Sequence, residues 1–256
     1  AYAPTLPAPA VLDSSVDVSV TISAATSTSG TITNQPTTVS KPIVVASGLK
    51  NPWDLAFLSD GSILVTERAG NLVRISLDGV KTSISLPRPV PRGEGGLLGI
   101  VLHPDFAVNN FLYLYMTTQG TTGGTKNAVF RYRYMDGKLT EEKMIIAEIP
   151  GAIYHDGGRM EFGPDGLLYI TTGDATVPAI AQDKNSLGGK ILRLTDVGGL
   201  PSDNPFGTAV YSYGHRNPQG LAWDDQGRLW STEHGRSGLT SGMDEINVIE
   251  KGKNYG

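Results

Sequence analysis

His155 and Asp174 are the first residues whose types and spacing could do chemistry. His155 sits in Tyr154-His155-Asp156-Gly157-Gly158-Arg159 and Asp174 in Gly173-Asp174-Ala175. Between them runs Met160-Glu-Phe162-Gly-Pro-Asp165-Gly166-Leu-Leu168-Tyr-Ile170-Thr171, whose pattern predicts a strand, a tight turn and a second strand. A hairpin returns the chain to the edge it left. Side chains just before its first strand and just after its second can therefore meet. A carboxylate that accepts from one imidazole nitrogen fixes the tautomer and leaves the other nitrogen as a base. Spacing alone also allows a purely structural His–Asp tie between two loops.

Tyr213-Gly214-His215-Arg216-Asn217-Pro218-Gln219-Gly220 occupies the equivalent edge of the next unit. Arg216 there suits an anionic ligand or a developing negative charge, or else pairs with a neighbouring acid. Glu233-His234-Gly235-Arg236 follows, with Asp244-Glu245 and Tyr255 beyond it. Carboxylates and loop carbonyls are hard oxygen donors of the kind calcium takes, although no EF-hand loop exists here and composition alone does not assign one. Walker, GxSxG and HExxH signatures are absent. Gly120-Thr-Thr-Gly-Gly-Thr125 has the look of a flexible loop, not a phosphate-binding one.

What must position these residues is a repeat. Leu55 to Thr66, Ile100 to Thr117, Met160 to Thr171 and Leu221 to Thr232 are four copies of strand, turn, strand. The anchors Phe57, Leu102, Phe162 and Trp223 recur at intervals of 45, 60 and 61 residues, about the length of a four-stranded propeller blade. Further strands are expected at 71–75, 128–134, 190–194 and 245–249. No long amphipathic pattern appears, which argues against βαβ units. The fold class expected is all-β, a β-propeller with about four blades. Equivalent loops of a propeller converge on its central channel, which would bring Arg216 toward His155.

Residues 1–40 differ in kind. They hold no Lys or Arg and are rich in Ser, Thr, Ala and Pro, the composition of a tether. Only Val16, Val18, Val20 and Ile22 alternate as a strand would. Two readings of the repeat stay open: a compact four-bladed protein closed by residues 16–22, or four blades of a larger propeller whose C-terminal blades lie beyond residues 41–256.

Bulk composition narrows the function. The chain has 256 residues, 39% of them hydrophobic, and a net charge of -4. That disfavours a nucleic-acid surface. No apolar run approaches the roughly 20 residues of a membrane span. With no cysteine, thiol catalysis, disulfides and Cys-ligated metals are excluded. The start carries no signal peptide, leaving open that one has been removed.

Taken together, the motifs resemble the soluble glucose dehydrogenase and aldose sugar dehydrogenase family, the glucose/sorbosone dehydrogenases. The resemblance runs from about Gly48 to Gly256. It rests on Asn51-Pro52-Trp53, Gly95-Gly-Leu-Leu-Gly99 with His103-Pro-Asp-Phe106, His155-Asp-Gly-Gly-Arg159, Gly173-Asp174, Gly214 to Gly220, Glu233-His-Gly235, and Asp244-Glu-Ile-Asn247 with Asn254-Tyr-Gly256. It implies a six-bladed propeller using pyrroloquinoline quinone and calcium. An aldose would be oxidised to its lactone, electrons would pass to an external acceptor, and the location would be periplasmic or secreted.

The resemblance also implies roles. His155 would be the general base and Asp174 the acid that orients it. Arg216 and Asn217 would contact the quinone. The carbonyls of Gly235 and Arg236 would hold a catalytic calcium, and Glu245 and Tyr255 a structural one. Glu94 stands where the family usually has a Gln that contacts ligand, and a carboxylate beside an anionic cofactor is unfavourable unless paired or protonated. The alternative is a non-catalytic extracellular binding module of the same fold. A further one is an incomplete reading frame that does not fold stably alone.

Overall fold

The computed structural model describes residues 43–121, 123–236 and 242–256. The chain divides into two units, residues 1–50 and 51–256. Among the described residues, every strand lies in the second. The expected tether and the strand expected at 16–22 lie outside the described residues.

Residues 51–256 form four antiparallel meanders, the blades of a β-propeller. The first contains β1 (Pro52–Phe57), β2 (Ile63–Glu67), β3 (Asn71–Ile75) and β4 (Lys81–Ser85). The second contains β5 (Leu97–Leu102), β6 (Phe111–Gln119), β7 (Thr125–Met135) and β8 (Lys138–Pro150), its two outer strands far longer than the repeat predicts. The third contains β9 (Met160–Phe162), β10 (Leu168–Thr172), β11 (Lys190–Leu194) and β12 (Val210–Tyr213). The fourth has β13 (Pro218–Trp223), β14 (Leu229–Glu233) and β15 (Glu245–Ile249). Two single-turn helices, α1 (Phe106–Asn109) and α2 (Ala179–Gln182), sit in links. Among the described residues no helix is long and apolar enough to cross a membrane.

The hairpin turns follow from their residues. Gly61, Gly166 and Gly227 adopt φ of +80°, +73° and +74°, a region that costs glycine nothing. The preceding acid closes each turn: Asp60, Asp165 and Asp224 accept the N–H of Ser62, Leu167 and Gln226.

Blade stacking explains why the central strands read as unbroken apolar runs. Residues 112–116 of β6 are fully buried on both faces. Leu112, Leu114 and Met116 join a cluster with Leu64 and Leu72 of the first blade. Tyr113 and Tyr115 face the other way, into a cluster with Leu168, Ile170 and Leu192 of the third. Period-two alternation thus feeds two interfaces from one strand. The repeat anchors share this role. Phe162 packs edge-on against Tyr113, and Trp223 against Tyr169, each on the preceding blade. Phe57 has no preceding blade among the described residues and is 56% exposed.

At the centre, β1 touches β5, β5 touches β9, and β9 touches β13. Polar stitches fix this arc of strands. Asp54 accepts the Ile100 N–H at 3.0 Å and pairs with Arg159, whose Nε donates to the Gln219 carbonyl at 3.1 Å. Arg159 also lies over the Trp53 ring, 4.6 Å from its centroid. One arginine therefore ties the first, third and fourth blades across the axis.

Candidate functional site

The links after β2, β4, β8, β10, β12 and β14 all open on one face, because in each meander every second link lies at the same edge. Those links carry Arg68, Glu94, His155, Asp174, Arg216 with Asn217, and Gly235 in turn.

His155 Nδ1 lies 2.7 Å from an Asp174 carboxylate oxygen, with the His side chain 15% exposed and the Asp 3%. Asp174 also accepts the Thr176 N–H at 2.8 Å. A carboxylate accepting the Nδ1 proton leaves Nε2 with its lone pair. The backbone is held as firmly. His155 has φ +64°, an unusual value for a non-glycine residue. Its N–H donates to Glu94 at 2.8 Å and its carbonyl accepts from Ala175. The Asp174 N–H in turn donates to the Arg216 carbonyl at 2.8 Å.

Asn217, buried, accepts the Gly157 N–H at 3.1 Å and donates to Glu94 at 3.5 Å. Arg216 donates from its guanidinium to the His234 carbonyl at 3.2 Å. A cavity of about 210 Å³ opens between these loops, lined among others by Trp53, Arg68, Glu94, Asp156, Asn217 and Gln219. Burial raises the Asp156 carboxyl above its ordinary range, with Asn127 and Ala152 donating to one oxygen. Its second oxygen has no hydrogen-bond partner among the described residues.

The structure brings together His155, Asp174, Glu94 and Asn217, with the Arg216 backbone joined to them. The metal positions are arranged differently. The Gly235 N–H donates to Asp244 at 2.8 Å, which sets a carboxylate beside that backbone. Tyr255 gives its hydroxyl to the Val248 carbonyl and accepts the Glu250 N–H, both at 2.7 Å. Glu245 accepts from Asn247 at 2.9 Å. Val248 is three residues along β15 from Glu245, about 10 Å at strand rise. The Tyr255 hydroxyl is thus engaged by backbone groups at Val248 and Glu250, and the Glu245 carboxylate by Asn247. Among the described residues no three His, Asp or Glu side chains converge as a metal group.

Sequence reasoning missed Glu233, His215 and Asp156. All three lay inside quoted motifs: Asp156 meets Asn127 across blades, with no short-range signal, whereas Glu233 and residues 215–217 flank the β13–β14 hairpin as His155 and Asp174 flank theirs.

The family model for glucose/sorbosone dehydrogenases matches residues 49–256. An aldose sugar dehydrogenase of Escherichia coli is 39% identical over 227 residues, covering 83% of this chain and 60% of its own. Quinoprotein glucose dehydrogenase B of Acinetobacter calcoaceticus is 36% identical, covering 83% of this chain and 51% of its own. The PQQ-bound aldose sugar dehydrogenase of Streptomyces coelicolor superposes with a TM-score of 0.77 at 43% identity, over 83% of this chain and 64% of its own. The chain thus spans about half to two-thirds of the length of the relatives it matches.

Proposed function

Because the chain belongs to the glucose/sorbosone dehydrogenase family, we propose that it is the core of a quinone-dependent aldose dehydrogenase, oxidising the C1 hydroxyl of a sugar to the lactone. The carrying observation is the 2.7 Å contact between His155 and Asp174 beside the central cavity.

The residues of the cavity suit one end of a planar, anionic quinone. Trp53 offers a flat ring, Arg68 a cation, and Asn217 and Gln219 amides, with Arg216 on the adjoining loop. Glu94 has the wrong charge for such a ligand, but its carboxylate is engaged by the His155 N–H and Asn217. When bound, pyrroloquinoline quinone would supply a hydride acceptor. His155 Nε2 takes the proton of the C1 hydroxyl, and Asp174 stabilises the imidazolium that results. Arg216 faces the negative charge that grows as the reaction proceeds. The carbonyls of Gly235 and Arg236, with the Asp244 carboxylate nearby, are the oxygen donors for a calcium ion. The proposal carries with it a periplasmic or secreted location and an external electron acceptor.

The test is dye reduction by the protein supplied with pyrroloquinoline quinone, calcium and a panel of aldoses. Turnover that disappears in His155→Ala is expected. Quinone binding without turnover of any sugar would overturn it.

A further inference from the structure

Glu233, the last residue of β14, is buried and has no direct place in the chemistry above. Its two carboxylate oxygens nonetheless face different partners. Oε1 accepts the N–H of Arg216 and, at 3.1 Å, the N–H of Asn217. Oε2 lies 2.8 Å from Nδ1 of His215. His215 is fully buried, with its Nε2 2.8 Å from the Ser212 hydroxyl and its ring stacked on Tyr255, centroids 4.9 Å apart. The His215 N–H donates to the Gly189 carbonyl at 3.1 Å, and the Gly189 N–H to the Gly173 carbonyl at 2.8 Å. Beyond Glu233, the Arg216 carbonyl receives the Asp174 N–H and Asn217 receives that of Gly157.

We propose that Glu233 is the positioning residue of the site, presenting Arg216 and Asn217 to the ligand and holding Asp174 behind His155 through the same stretch of backbone. This inference rests on the quinone reading of the cavity.

The physical argument is one of donor and acceptor counting. Residues 215–217 leave the sheet between β12 and β13, where no strand partner takes their N–H groups. Two of those groups converge on a single carboxylate oxygen, a charge-assisted arrangement that neutral acceptors do not match. The second oxygen fixes His215 with the proton on Nδ1, so Nε2 accepts from Ser212. His215 in turn spaces the loop from Tyr255. The carboxylate therefore sets both the direction of the 216–217 peptide and its depth below the mouth.

The conservative variant E233Q makes a distinctive demand. Its amide oxygen must face the two N–H groups, so its NH₂ must face His215 Nδ1. His215 then has to carry its proton on Nε2 and donate to Ser212. E233A offers no acceptor and orphans all three donors.

Three measurements on the full chain with calcium present test this. Calorimetric titration of pyrroloquinoline quinone, below the melting temperature of each variant, should show E233A binding about tenfold more weakly and E233Q within about threefold of the parent. Steady-state rates for E233A should show a lowered kcat with the sugar KM within about twofold. Nitrogen NMR of the imidazoles should show His215 protonated on Nδ1 in the parent and on Nε2 in E233Q. That last signature decides the matter should E233A fail to fold. A changed melting temperature with quinone affinity intact overturns the inference alone, as does an unchanged His215 tautomer. Failure of the parent to bind quinone overturns it together with the functional reading.

Discussion

The Asp174 carboxylate stands 2.7 Å from His155 Nδ1 across 19 residues of chain. The hairpin of β9 and β10 makes this possible: Ile170 pairs with Met160 and Leu168 with Phe162, so both flanks emerge at one edge. Removing the charge while keeping the shape isolates its role. Asp174→Asn is expected to bind quinone nearly as the parent does and to lose at least about 10²-fold in kcat. Stopped-flow reduction at saturating sugar measures it. An unaltered rate would reduce the pair to a loop tie.

Glu94 is exposed, yet its carboxylate joins the His155 backbone to Asn217. Glutamine keeps an acceptor for the His155 N–H and removes a negative charge from the path of an anionic ligand. Glu94→Gln should therefore tighten quinone binding several-fold, with the gain shrinking as salt rises. Glu94→Ala should instead lower kcat, because the φ +64° backbone of His155 loses its anchor. Titrations at two ionic strengths separate the effects.

Gly173 places its Cα against the His155 backbone. A Cβ there would lie 1.9 Å from the His155 carbonyl oxygen, so the backbone must move. Gly173→Ala should cost about 1–3 kcal/mol of stability and reduce kcat more than it raises the sugar KM. Urea unfolding and initial rates check both. A variant as stable and active as the parent contradicts the packing described.

Lys190 is fully buried and donates to the carbonyls of Ile180, Ala181 and Gly188 at 2.8, 2.9 and 2.6 Å. Burial pushes its ammonium down to about 8 from the ordinary 10.5. The folded chain then releases this proton before the unfolded chain does. Stability should rise as pH climbs from about 8 to about 10.5, by up to about 3 kcal/mol, and level off above. Urea midpoints at pH 7.5, 9 and 10.5, compared with Lys190→Met, isolate the contribution. Parallel profiles for the two proteins would remove it.

The sequence disclosed the blades because the copies repeat the same local rules, two-faced apolar strands around a turn that is Asp-Gly in the first and third copies. It also disclosed His155 and Asp174, since one hairpin suffices to bring them together. Glu233 was not legible. Its partners sit 16 to 18 residues back on the other flank of the β13–β14 hairpin, so the spacing allowed the meeting, but residue types alone did not mark a buried carboxylate as the acceptor of two backbone N–H groups. Arg159 was quoted as part of a motif, but its reach to Asp54 and Gln219 depends on three blades docking around one axis. The hydrogen bond of the Tyr255 hydroxyl to the Val248 carbonyl was not legible either, because it depends on the chain after β15 folding back onto that strand.

Most side chains of the candidate site are borne by links between strands, with Trp53, Gln219 and Glu233 at strand ends, and stitches among them run from one blade to another. The site is therefore a late product of folding. Each hairpin can form from local contacts, but the cavity exists only once the apolar seams between blades have closed. Loosening a seam, for instance at Leu114 or Tyr115, would erode ligand affinity before spectroscopic measures of strand content register any change.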